Sequence, residues 1–201
     1  MLDAESHQGV RENLLYIRRT LEAAGQFTAV PGRSLMVAGA VALAGVAANA
    51  FVTGAPWDRW PPPRHALDVW GVVLGVSLAV VTVGIYRKAE RIRSPLQGAL
   101  LRKLLWSLCP TLFVGALLTN LAIRAHSLEW LPPIWLACYG AAAANGGQVS
   151  VRPVRYMGLS FLAMAAGAAL TPPAMGLAWL AIGFGWLHMV YGAYIAWRHH
   201  G

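Results

Sequence analysis

Six runs of 16 to 23 residues, about 34–53, 67–86, 104–123, 130–145, 156–171 and 175–197, carry no charge except Asp68 at an edge. Nothing else in the chain restricts its fold so strongly. A hydrocarbon core about 30 Å thick is crossed by about 20 helical residues. A backbone in lipid must satisfy its own polar groups, which leaves helices or closed barrels. These runs are continuously apolar rather than alternating, so they predict helices. The expected fold is all-α: a polytopic transmembrane bundle of about six spans occupying residues 34–201, with residues 1–33 as a polar preface. The runs at 130–145 and 156–171 are the shortest and marginal in length for a full crossing. Only 12% of the residues are charged, against roughly 25% in soluble domains.

The net charge of +8 reads as an orienting signal rather than a nucleic-acid footprint, because the basic residues stand between the apolar runs. With the N-terminus in the cytoplasm, the inner segments hold Arg11, Arg18, Arg19, Arg33, Arg87, Lys88, Arg91, Arg93, Arg102, Lys103, Arg152, Arg155 and Arg198. The outer loops hold Arg59, Arg64 and Arg124, a ratio of thirteen to three. The positive-inside rule therefore predicts both termini in the cytoplasm. Fourteen Arg against two Lys, with abundant Ala and Gly, point to a bacterial source and hence to the inner membrane.

The outer connections share Pro61-Pro62-Pro63, Pro132-Pro133 and Pro172-Pro173, each just before an inward-running span. Proline suits a first helical turn, where its missing donor is no loss. Trp57, Trp60, Trp70, Trp130 and Trp135 are expected at the outer interface, with Trp106 and Trp197 near the inner one. In the preface, Val10, Leu14, Ile17, Leu21 and Ala24 form one narrow stripe flanked by Arg11, Arg18, Arg19 and Glu22. That pattern predicts an amphipathic helix lying on anionic lipid or docking on a partner.

All eight acidic residues lie outside the runs or at their edges. Ion-coupled transporters use ionisable groups within the membrane, and membrane metalloproteases use patterns such as H-E-x-x-H. Neither is present, so no catalytic set, no metal site and no cofactor is expected. Cys109 and Cys138 sit inside apolar runs and read as small packing residues.

Three polar side chains in the spans are candidates for function. His188 has Phe184, Gly185, Tyr191 and Gly192 as helical neighbours, and the two glycines suggest that it points into the bundle. It could bind haem, relay protons, touch a substrate, or simply bond across a helix interface. Asn49 and Asn120 lie at matching depth, either bonded to each other or lining a polar pocket open to the outside. The segment Asn145–Arg155 reads as a turn, with a re-entrant loop as the alternative.

Residues Leu14–Gly32, Gly146–Gly158 and Gly183–Gly192 resemble a family of uncharacterised bacterial polytopic membrane proteins. The resemblance implies the same topology and assigns no chemistry. The leading expectation is a non-catalytic membrane subunit or anchor that binds a partner at the cytoplasmic face. Its expected partners are membrane lipids and another subunit or a second copy of the chain. A small-solute or lipid transporter and a haem-bearing electron carrier built on His188 are the alternatives.

Overall fold

The computed structural model describes residues 30–53, 65–91 and 99–198. The amphipathic stripe of the preface, the Pro61-Pro62-Pro63 turn, Trp57 and Trp60 lie outside the described residues. Every element within them is helical: α1 (Gly32–Thr53), α2 (His65–Arg91), α3 (Ala99–Arg124), α4 (Leu131–Gly146), α5 (Arg152–Leu170) and α6. The last is composite. It runs from Gly176–Leu180 through a π-helical segment, Ala181–Leu187, into His188–Arg198.

Among the described residues five helices are long and apolar enough to cross a membrane: Gly32–Val52, Ala66–Arg91, Arg102–Arg124, Arg152–Leu170 and Pro173–Arg198. The sixth apolar run, α4, has 16 helical residues, about 24 Å at 1.5 Å per residue, and falls short of that length. Large apolar side chains such as Val72, Leu74, Leu78, Phe113, Leu117 and Leu121 are exposed along α2 and α3. Soluble monomers rarely expose continuous apolar patches beyond a few hundred Å², whereas lipid solvates them.

Local chemistry sets the helix ends. Pro132 and Pro153 occupy the first turns of α4 and α5, where the missing N–H is harmless. α3 closes with His126 in the left-handed region at φ 54°. There Ser127 N–H bonds the Ala122 carbonyl at 2.9 Å and His126 N–H bonds that of Ile123 at 3.3 Å, a Schellman pattern that satisfies the last carbonyls. The 147–151 connection is a plain turn, not a re-entrant loop. Gly147 and Val149 donate to the carbonyls of Ala143 and Gly146.

Packing is organised by two close helix pairs. In the α4–α5 hairpin, a Cβ on Gly158 would fall on the Ala144 backbone, and one on Gly140 would meet the Leu162 nitrogen at 2.9 Å. In the α1–α6 pair, Gly32 lies against Gly192 and Gly39 against Gly185. Both glycine pairs are seven residues apart on each helix, so they mark one antiparallel register. Without a hydrophobic drive inside lipid, close backbone approach supplies the association. α1 meets α6 through Gly32, Met36, Gly39 and Leu43, while Ala38 and Ala42 are also buried. Ala40, Ala44 and Ala48 are exposed. α2 then lies on α1, where Gly45 meets Val73 and Gly84 meets Ser34. α3 lies on α4, where Gly115 meets Cys138 and Gly146 meets Leu104 and Leu108.

Two of the tryptophans expected near the outer interface turn toward protein. Trp70 is buried and Trp135 partly so, and their rings pack at 5.8 Å. Trp106, Trp130 and Trp197 remain exposed.

Candidate functional site: the Tyr139–His188 ring cluster

The main core gathers side chains from α2, α4, α5 and α6, with Leu131, Leu136, Phe161 and Leu180 fully buried. His188 stands in it at 6% exposure. Its Nε2 is 2.6 Å from the Tyr139 hydroxyl, across the α4–α6 interface. The Tyr139, Phe161 and Phe184 rings surround the imidazole at 5.1, 5.3 and 6.1 Å.

The π segment explains why the histidine faces this way. An i→i+5 pattern brings His188 over Gly183, whereas in a regular α-helix the two would be about 140° apart. A Cβ on Gly183 would clash with Leu136 of α4 and come within 3.4 Å of Phe161 of α5. His188 meets that same pair of helices. The glycines named beside it in the sequence do something else: Gly185 and Gly192 receive Leu43, Gly32 and Met36 of α1. The inward orientation is as expected, but the helix that those glycines admit is not the one that the histidine touches.

The carbonyls of Gly183 and Phe184 approach the imidazole, though Nδ1 completes no hydrogen bond of ordinary geometry. Carbonyl oxygens only accept. The tautomer assigned from these surroundings therefore carries its proton on Nδ1 and accepts the Tyr139 hydroxyl at Nε2. Neither nitrogen is presented to a haem iron, since one is engaged by the phenol and the other is enclosed. What the arrangement allows is transfer of a proton along one short phenol–imidazole bond, away from water.

Further hydrogen bonds tie the ring cluster to its neighbours. Trp135 Nε1 donates to Thr119 Oγ1 at 2.9 Å, linking α4 to α3. Ser160 and Tyr191 share a bond of 2.9 Å between α5 and α6. Trp179 Nε1 donates to Thr171 Oγ1 at 2.7 Å.

The asparagines are not brought together. Asn49 is buried at 2% exposure, while Asn120 lies on the exposed side of α3. Cys138 packs against Gly115 and Cys109 is exposed. Among the described residues no group of three or more His, Cys, Asp or Glu could hold a metal ion. Tyr139 is the residue that sequence reasoning missed. Its signal was a lone phenol in an Ala- and Gly-rich run, beside Cys138 and at the depth of His188. No family model, no curated protein and no solved structure matches the chain.

Proposed function

We propose that this chain is a six-span protein of the bacterial inner membrane that acts without catalysis of its own, as a membrane subunit or anchor holding a partner at the cytoplasmic face. In this reading α4 crosses with its preceding turn, both termini are cytoplasmic, and the amphipathic preface lies along the inner leaflet.

The observation that carries the proposal is the build of one end of the bundle. The start of α1, end of α2, start of α3, start of α5 and end of α6 meet there. Ala89, Leu104 and Val149 form a second small core packed with Val30, Ile85 and Leu108, and Lys88 Nζ donates to the Val30 carbonyl at 2.9 Å. Around it Arg33, Arg87, Arg91, Arg102, Lys103, Arg152, Arg155 and Arg198 are all exposed. Packed side chains beneath a ring of arginines make a firm cationic platform, suited to an acidic protein surface at the membrane. The contrast between buried Asn49 and exposed Asn120 weighs against a shared transport site, and the engaged Nε2 and enclosed Nδ1 of His188 weigh against haem.

A photo-crosslinking side chain at Arg91 should trap one discrete partner in native membranes, and one at Arg124 should not. Reversing Arg87, Arg152 and Arg155 to Glu in that crosslinking variant should abolish the adduct. Equal labelling at both ends, or an adduct indifferent to charge reversal, would defeat the anchor reading.

A further inference from the structure

The ring cluster has a property that a packing role does not require. Rings run in near contact from the α2 side of the bundle to its centre. Trp135 meets Trp70 at 5.8 Å, Trp70 meets Phe184 at 6.4 Å, and Phe184 meets Tyr139 at 5.3 Å. Trp135 and Tyr139 are also one helical turn apart on α4. Indoles and phenols are the side chains most readily oxidised by one electron, and what then happens depends on whether the proton can leave. Trp70 Nε1 is buried with no hydrogen-bond acceptor. Trp135 and Trp179 donate to threonine hydroxyls, and Tyr191 shares its bond with Ser160. None of those hydroxyls is a useful base. Of these groups, Tyr139 alone is bonded to one, the imidazole of His188.

We propose that Tyr139 and His188 form a proton-coupled redox pair, supplied through Trp70 and Trp135 and driven by a one-electron oxidant outside the bundle, an oxidised metal complex. The oxidant takes one electron from an indole, leaving an indole radical cation that keeps its N–H for want of a base. That radical cation takes an electron from Tyr139. The phenolic proton moves along the existing bond to Nε2, giving a neutral phenoxyl radical and an imidazolium. No atom leaves the protein. When the reduced metal complex returns the electron, the proton goes back from Nε2 to the phenolate oxygen. The hole thus settles at Tyr139, because there the charge left by the electron is removed by a short proton shift.

The test is flash oxidation of the full-length protein in detergent by photogenerated ruthenium(III) polypyridyl, in a background with exposed Tyr86, Tyr156 and Tyr194 changed to Phe. The expected result is a phenoxyl radical in the optical and electron paramagnetic resonance spectra, formed more slowly in D2O. Tyr139→Phe should remove most of it and leave an indole radical. His188→Gln should slow phenoxyl formation by about 10²-fold, the lower range of general-base assistance. An undiminished phenoxyl yield in Tyr139→Phe, or an unchanged rate in folded His188→Gln, overturns the proposal. Should His188→Gln not fold, the parent protein decides, and equal rates in H2O and D2O would overturn it as well.

Discussion

At the scale of single residues, the Tyr139–His188 bond and the rings around it contribute very differently to stability. An interhelical hydrogen bond in a membrane protein is worth about 0.6 kcal/mol, with roughly 1.7 at the upper end. His188→Gln keeps some bonding capacity toward Tyr139, so thermal unfolding in detergent should show a loss of about that size. Phe161 is completely buried and touches Tyr139, Phe184 and His188. Its truncation to Ala removes a ring that three others pack on and should cost about 3–5 kcal/mol. A His188→Gln loss as large as that of Phe161→Ala would mean that the histidine holds the fold together. The position of His188 inside the bundle was legible in the sequence, since a histidine between apolar residues must face protein. Its partner was not. Pairing Tyr139 with His188 depends on a π turn, and no propensity marks where a helix takes an extra residue.

For the helices, the decisive quantity is how near two backbones come. Gly158 and Gly192 lie against the backbones of Ala144 and of Gly32 and Met36, whereas around Gly71 and Gly75 nothing stands within 4 Å of where a Cβ would be. Leu at Gly158 or Gly192 must push a helix aside, and overpacking of this kind costs typically 1–3 kcal/mol. Ala at Gly71 meets open space and gains up to about 1 kcal/mol of helix propensity. Thermal unfolding in micelles should separate the two classes, and equal effects would contradict the close pairs. Composition showed that small residues abound in α1, α5 and α6 but not which face each uses. Ala40 and Ala44 are as small as Ala38 and Ala42, and only the second pair is buried. In lipid both faces are apolar, so the usual polar mark of an outer surface is missing. The span boundaries suffered less from this, because they are set by charges, which lipid excludes, and by prolines in first helical turns.

Over the whole molecule, α1, α4, α5 and α6 form the packed body, with α2 and α3 resting on its outside. Those two bury only 11% and 6% of their apolar windows. Among the described residues, Arg33, Arg87, Lys88, Arg91, Arg102, Lys103, Arg152, Arg155 and Arg198 stand at helix ends on one side and Arg124 on the other. Reporter fusions after Gly201 and within residues 54–64 should therefore report opposite sides of the membrane, and a shared side would refute the six-span topology. The pairing of the first described helix with the last also sets an order in time. α1 emerges from the ribosome early, but the surface that fits Gly32 and Gly39 belongs to Gly192 and Gly185. About 150 residues, at roughly 5–20 per second, separate Gly39 from its counterpart. For some 8–30 seconds, the closest-fitting face of the nascent chain has only lipid or a chaperone against it, and the bundle can close only when its final helix arrives.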